Sequence, residues 1–428
     1  MKKVLIITYY WPPSGGAGVQ RWLKFAKYLP DYGIEPLILT VDPQYASYPQ
    51  VDKSLEKEIP PNLKIFKTRS FEALRILSGI FGKKSVPYGG FSNVDRRSFF
   101  QMLLRFIRGN FFIPDARVGW NRYAEKKARE IMLTHDIDTI ITTGPPHSTH
   151  LVGLRLKTSL RVKWIADFRD PWTDIYYYSD MLHSPVVKRI DSMKERRVLL
   201  EADGVIAINN SVRDLLVSKT GKADTGKFTV ITNGFDEEDF EFPAVVSDSF
   251  VITYTGTMSG HYHLQVFFRT LSKLVNKYPE LNIKFRLAGN ISFSIEKVIK
   301  KYGLWDNFES LGYVEHEMLA GILKGSTVLL YVFPKTENYK GSSGKLFEYL
   351  AARRPIIAID NIESDAAEII NECEAGICFS PEDKEGLMHY LEHLVAVFNE
   401  RGVIKAGNGK HMKYSRKNLT AGLSEFLG

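Results

Sequence analysis

Cysteine is almost missing: Cys373 and Cys378 are the only two in 428 residues. They are close in sequence and have no metal-type partners, so neither a disulfide framework nor a thiolate metal site is indicated, and both read as ordinary thiols in a reducing cytoplasm. An apolar run long enough to span a bilayer is also missing. The opening Met-Lys-Lys and Val4–Ile7 meet Tyr9-Tyr10-Trp11-Pro12-Pro13 at once, which is too short for the core of a secretion signal. No long polar or low-complexity tract points to disorder. The chain is basic, with 57 Lys+Arg against 49 Asp+Glu, a net charge of +8 and a pI near 9.1. That balance favours anionic partners such as nucleotide diphosphates or acidic lipid head groups. Nucleic acid ranks last among them, because no nucleic-acid module or aromatic-basic platform is visible.

What is there is a soluble, globular composition, 44% hydrophobic and 25% charged. The length exceeds one ordinary core and suggests two domains. The first half alternates strands and helices. Val4–Tyr10 reads as a strand, 11–18 as a loop, and Val19–Leu29 as a helix with Val19, Trp22, Phe25, Ala26 and Leu29 on its core face. Pro36–Val41 then completes a β-α-β unit, which implies right-handed parallel pairing. Gly15-Gly16-Ala17-Gly18 is not Gly-x-Gly-x-x-Gly, and a tight turn explains it as well as a nucleotide loop does. Further strands are expected at Thr139–Thr143, Val162–Asp167, Gly204–Ile208 and Phe228–Ile231, with helices over Trp120–Thr134 and Lys188–Glu201. In open parallel sheets ligands bind beyond the carboxyl ends of strands, so the loops at 11–18, 144–150 and 168–172 should converge. His147, Arg169 and Asp170 are the polar groups there that suit chemistry. A loop or capping histidine and a helix-start aspartate are the plain alternatives for the first and last.

Residues 70–115 break the alternation. Over 96–112, Arg96, Arg97, Arg105 and Arg108 share a segment with a dense apolar face, and Lys83-Lys84 stand nearby. This helix either lies in a membrane interface with its cations on lipid phosphates, or packs on the domain with its arginines solvated. An acidic, aperiodic stretch at 236–249 reads as the linker. The alternation then resumes with strands at Phe250–Tyr254, Ile283–Leu287, Thr327–Val332 and Pro355–Ile359, and helices at His263–Lys277, Lys384–Phe398 and Arg416–Leu427. The most informative stretch is Asn338–Ile359, a glycine-containing loop, an amphipathic helix and an apolar strand. Unpaired amides and the positive dipole end at Ser343 and Gly344 suit a phosphate, and Glu348, one turn on, can accept both hydroxyls of a ribose.

Ser343-Gly344-Lys345-Leu346-Phe347-Glu348-Tyr349-Leu350-Ala351 with Arg354-Pro355 resembles the signature of the family 4 glycosyltransferases. Glu348 matches the second glutamate of their Glu-x7-Glu pattern, whereas Lys340 stands where the first would be. Pro145-Pro146-His147 and Asp167–Trp172 are similar to the acceptor-side loops of bacterial surface-polysaccharide members. The resemblance implies an α/β fold of two facing Rossmann-like, doubly wound domains, the GT-B arrangement, with the acceptor domain over 1–235 (70–115 a candidate membrane-facing insertion), a linker over 236–249, the nucleotide-sugar domain over 250–398 and a tail over 399–428 whose helix crosses back in the family fold. It implies a retaining, metal-independent transfer from a nucleotide-diphosphate sugar to a saccharide or lipid-linked acceptor in surface polysaccharide assembly, without a cofactor, in the cytoplasm or at the inner face of the plasma membrane. Gly15, Gly16, Thr257, Asn290, Tyr313, Lys340, Ser343, Gly344, Leu346 and Glu348 would contact the donor, and Arg169 and Trp172 the acceptor. Asp170, His147 and Lys345 would serve the chemistry. Thr257 replaces the arginine that many relatives use on the donor phosphates, so positive charge would come from Lys340 and Lys345. Asp136-Ile137-Asp138 resembles the Asp-x-Asp metal motif of other glycosyltransferases, but it precedes its strand and is discounted. A nucleotide-sugar 2-epimerase of the same architecture and a non-catalytic nucleotide-sugar-binding scaffold are the alternatives.

Overall fold

The computed structural model describes residues 1–72, 99–175, 177–221, 225–241, 248–258, 260, 262, 264–333 and 341–428. The chain forms two compact units, Met1–Thr232 with Leu419–Gly428, and Asn233–Asn418. The first is built on a parallel sheet of seven strands in the order β3-β2-β1-β4-β5-β6-β7. These are β1 Lys2–Ile7, β2 Ile34–Val41, β3 Lys64–Thr68, β4 Thr139–Gly144, β5 Lys163–Phe168, β6 Gly204–Ala207 and β7 Phe228–Val230. Its helices are α1 Ala17–Tyr28, α2 Phe99–Phe111, α3 Asn121–His135, α4 Ser148–Ser159, α5 Pro185–Glu201 and α6 Asn210–Thr220. The central strands are buried except at the first residues of β1 and β5, as both-face coverage by helices requires, which is why β1 and β5 read as largely apolar runs.

The second unit has a six-stranded parallel sheet in the order β10-β9-β8-β11-β12-β13. Its strands are β8 Phe250–Thr255, β9 Ile283–Ala288, β10 Phe308–Gly312, β11 Val328–Val332, β12 Ile356–Ile359 and β13 Gly376–Phe379. Its helices are α7 Gln265–Lys277, α8 Phe293–Lys301, α9 His316–Lys324, α10 Lys345–Ala352, α11 Asp365–Glu372 and α12 Lys384–Arg401. Alternate residues of one strand serve two cores: Val328, Leu330 and Val332 pack with Phe267, Phe268 and Leu271, whereas Leu329 and Tyr331 pack with Leu346, Phe347 and Leu350 of α10. In both units the strand order reverses beside the first strand, between β1 and β4 and between β8 and β11. Those are the switch points at which doubly wound sheets hold ligands.

The last helix, α13 Arg416–Leu427, spans the division between the units. Leu423 and Leu427 are fully buried in the first unit's core, and Lys163 Nζ donates to the Leu427 carbonyl at 3.0 Å. The last residue expected in the acceptor domain packs with the second unit instead. Phe235 joins the second unit's core, its amide donating to the Tyr414 carbonyl at 3.1 Å and its carbonyl accepting from the Arg416 amide at 2.7 Å. Two strands went unread in the sequence, β3 and β13, and β10 was implied only as the strand that the loop at Gly312 follows; all three are short and lie at sheet edges. Each carries exposed or half-exposed residues that dilute the apolar signal.

The expected membrane helix is present in part as α2, but its arginines do not point outward as that reading requires. Arg105 is buried, with Nε donating to the Asp180 carbonyl at 2.7 Å, and Arg108 is partly buried, which lowers its pKa. Lys83, Lys84, Arg96 and Arg97 lie outside the described residues. Among the described residues no helix is long and apolar enough to cross a membrane.

Candidate active site

In the second unit, α10 starts at the β8/β11 switch point and is fixed there by three tyrosine hydroxyls. Tyr331 Oη accepts the Ser343 amide at 2.9 Å, Tyr349 Oη accepts the Thr255 amide at 2.9 Å, and Tyr254 Oη accepts from Lys345 Nζ at 2.6 Å. Each hydroxyl ties the helix or its entry loop to a strand end. The expectation that the Ser343 amide faces a phosphate is therefore corrected, because that donor is already committed. The next two amides differ. Gly344, the N-cap residue, carries no side chain to satisfy them, and the amides of Gly344 and Lys345 have no acceptor among the described residues. Leu346 is corrected as well: its side chain is fully buried in the core, and its amide closes on the Ser343 carbonyl at 3.1 Å.

Lys345 Nζ lies 4.1 Å from the centre of the Tyr254 ring and beside Gly256, the first residue after β8. Burial lowers its pKa to about 7, with only Glu348 opposing the shift. Glu348 is partly exposed and accepts no hydrogen bond from the described residues. Burial raises its pKa, opposed mainly by the charge of His316 and by Arg416, while Asp239 reinforces the rise. The His316 Nε2 and Asp239 Oδ2 atoms are 3.0 Å apart. Gly289 and Gly256 cross in close contact: a Cβ on Gly289, whose φ is +147°, would stand 2.1 Å from the Gly256 carbonyl oxygen. This crossing lets the loops after β8 and β9 run side by side, with the Gly256 amide on the Ala288 carbonyl and the Met258 amide on the Asn290 carbonyl, both at 2.8 Å. Thr257, Asn290 and Tyr313 are exposed on these loops and after β10. Lys340 lies outside the described residues.

In the first unit the loops after β1, β4 and β5 share one sheet edge. Arg169 Nε donates to the Gly144 carbonyl at 3.3 Å and its Nη2 to the Pro145 carbonyl, and its guanidinium occupies the space a side chain at Gly18 would need. Arg169 thus binds the β4 loop to the first turn of α1. Gly16 opens that turn with φ +105° and is exposed, while the Gly15 amide donates to the Gln50 carbonyl at 3.1 Å. The His147 ring stacks on Trp172 at 5.2 Å and 8°, and both its nitrogens are buried without a hydrogen-bond partner. Burial, followed by His150 and Arg169, holds it well below the usual histidine pKa, so it is a neutral imidazole. Trp172 is itself buried, its Nε1 donating to Asp191 at 2.8 Å. Tyr178 donates to the other Asp191 oxygen at 2.9 Å, and Thr173 donates to Glu195 at 2.6 Å, so two inward acids of α5 anchor the loop after Asp170. Asp170 is the exception in this constrained loop. It is partly exposed, it makes no hydrogen bond with the described residues, and burial raises its pKa to about 6 against the pull of Arg169.

Neither Tyr254, Tyr331 nor Asp191 was identified as site-supporting from sequence. Each acts on a residue from another element, a relation that local spacing does not encode.

Two family models match along the chain: Glycosyltransferase Family 4 over residues 91–239 and Glycosyl transferases group 1 over residues 249–396. The chain is a family 4 glycosyltransferase. No curated protein sequence matches it. Its fold is similar to solved structures across the whole chain. Sucrose-phosphate synthase from Thermosynechococcus elongatus has a TM-score of 0.63 at 13% identity, covering 100% of this glycosyltransferase and 98% of the synthase. S. aureus TarM, solved with UDP, has a TM-score of 0.58 at 12% identity, covering 100% and 96%. A Listeria monocytogenes protein described as a UDP-N-acetylglucosamine 2-epimerase has a TM-score of 0.53 at 10% identity, covering 99% and 95%. At these identities the likeness concerns the GT-B fold of the glycosyltransferase and not its substrate.

Proposed function

We propose that the protein transfers a sugar, with retention at the anomeric carbon and without a metal, from a nucleotide-diphosphate donor to a saccharide or lipid-linked acceptor in bacterial surface polysaccharide assembly. The observation that carries the proposal is the mouth of α10: two amides without acceptors among the described residues, a lysine ammonium beside them, and, one turn further in, the Glu348 carboxylate, which accepts no hydrogen bond from those residues. In this reading the amides of Gly344 and Lys345 and the Lys345 ammonium hold the diphosphate, and Glu348 accepts the ribose hydroxyls. Thr257, Asn290 and Tyr313 extend the donor surface.

Chemistry then depends on stabilising the leaving group. As the glycosidic C–O bond breaks, charge collects on the diphosphate, where fixed amides and an ammonium lower the barrier without reorganising. The acceptor hydroxyl attacks the same carbon from the same face, and its proton goes to the departing phosphate. Asp170, raised to about 6, is the acceptor-side group best able to orient that hydroxyl as a carboxylate at neutral pH. His147, buried beneath Trp172, acts from behind as neutral packing unless the tryptophan moves. Arg169 and Trp172 shape the acceptor loop. The acceptor in this reading makes the protein a cytoplasmic one that works at the inner face of a membrane.

The test is product analysis with uridine, guanosine and cytidine diphosphate sugars, each with and without lipid-linked saccharide acceptors. Transfer with the anomeric configuration kept, and only slow hydrolysis without acceptor, is expected. An epimerised sugar formed from donor alone would instead assign a 2-epimerase, and donor binding without any turnover would assign a scaffold.

A further inference from the structure

Among the described residues of the first unit, an apolar surface is exposed on the side of α5 opposite Asp191 and Glu195. On α5, Val186 is 68% exposed, Ile190 38%, Met193 63% and Leu200 38%. At 3.6 residues per turn these four fall on one stripe. Arg197 falls within the stripe and Arg189 and Arg196 run along one edge, all three exposed. Two of the three acids of the helix do not share this face. Asp191 and Glu195 are turned inward and bonded to Trp172, Tyr178 and Thr173, leaving Glu201 at the last position as the one exposed acid of α5.

The surface continues onto α2. There Met102, Leu103 and Phe106 are 44–45% exposed, while Arg105 points inward to Asp180. Asn110, on the same side of α2 as Leu103 and Phe106, donates to the Leu182 carbonyl at 3.1 Å and accepts the Ser184 amide at 2.8 Å. Ser184 caps α5. The apolar row on α2 therefore runs into the start of the stripe on α5. The two helices invert the pattern read from the sequence, with α2 supplying apolar side chains and α5 the exposed cations.

We propose that this joined face of α2 and α5 docks on an anionic lipid surface. Apolar side chains of this size reach the acyl boundary of one leaflet while adjacent guanidinium groups stay at the level of the lipid phosphates. Charge decides the occupant. In a two-fold contact between copies of this chain, the stripe would bring Arg189, Arg196 and Arg197 against a second set of the same cations, with almost no acid to offset them. A sheet of lipid phosphates has the complementary sign. The face has a purpose only if the lipid-linked acceptor reading holds, yet its test uses neither donor nor acceptor, so either can fail alone.

The experiment is vesicle co-sedimentation of the full chain with phosphatidylcholine, with and without phosphatidylglycerol. Binding to the anionic vesicles that weakens with salt is expected. Two triple variants should each reduce it, Arg189→Glu with Arg196→Glu and Arg197→Glu by about a hundredfold, and Val186→Ser with Ile190→Ser and Met193→Ser clearly but less steeply with salt. Thermal melting and size exclusion verify that each remains folded, and the charge variant, all at exposed positions, keeps the test decisive if the apolar one does not fold. Equal binding by the charge variant, no binding by the parent chain, or a dimer of the parent that the apolar variant dissociates would overturn the proposal.

Discussion

Asp170 and Lys345 are the two groups whose titration bears on the reaction. For Asp170 the folded-state pKa is about 6 against an ordinary 3.8, so the charged form costs stability in the folded chain. That cost is absent below the ordinary value, grows as pH rises towards 6, and is full above it. Asp170→Asn is therefore expected to raise Tm by about 3 °C or more at pH 8 and to leave it unchanged near pH 3.5. The same change should lower transfer by about a hundredfold with donor affinity intact. A melting profile and a rate measured on one preparation check both. For Lys345 the sign is opposite. Its ammonium is lost as pH rises through about 7, so affinity for a nucleoside diphosphate should fall between pH 6 and pH 8.5. In Lys345→Met that decline should vanish, leaving weak binding at every pH, as isothermal titration would show.

The local structure around Gly344, Lys345 and Glu348 was legible because loop, helix and strand follow one another within a short stretch. The tyrosines that hold them were not. Tyr254 and Tyr331 read as strand residues, and only the fold brings their hydroxyls to Lys345 and Ser343. Lys345 was read as a phosphate ligand by its place in the motif, but its position against an aromatic ring and its titration near neutrality come from burial, which a sequence does not give.

Among the elements, the loops after β8 and β9 set the donor side. Their approach depends on Gly289, where φ is +147° and a Cβ would meet the Gly256 carbonyl at 2.1 Å. Gly289→Ala must push the Gly256 loop away from its place beside Lys345. The expected result is a loss of about 2 kcal/mol or more in stability together with lost nucleotide affinity; an unchanged Tm would show that the loops tolerate separation. The helix read as a membrane element illustrates the limit of pattern reading. Periodicity correctly gave an amphipathic helix, but which face is buried depends on Asp180, 75 residues on from Arg105. Strands buried on both faces were legible as apolar runs. An edge strand such as β13, in which only Phe379 is buried, was not.

For the molecule as a whole, the two-domain α/β architecture was legible from alternation repeated on both sides of an acidic segment. The position of the division was less so, since Phe235 and its neighbours pack with the second unit through main-chain bonds to Tyr414 and Arg416. Those partners lie at the far end of the chain. The same holds for α13, whose Leu423 and Leu427 complete the first unit's core although nothing in their spacing names the strands they cover. Each unit carries its own switch point and its own set of poised groups, and the account assigns nucleotide to the second. Titration calorimetry of uridine, guanosine and cytidine diphosphates against the parent chain and Glu348→Ala tests that assignment most directly. At least one nucleotide should bind the parent chain and lose its affinity in the variant, with the fold intact by melting. Equal affinity in the two proteins would contradict it.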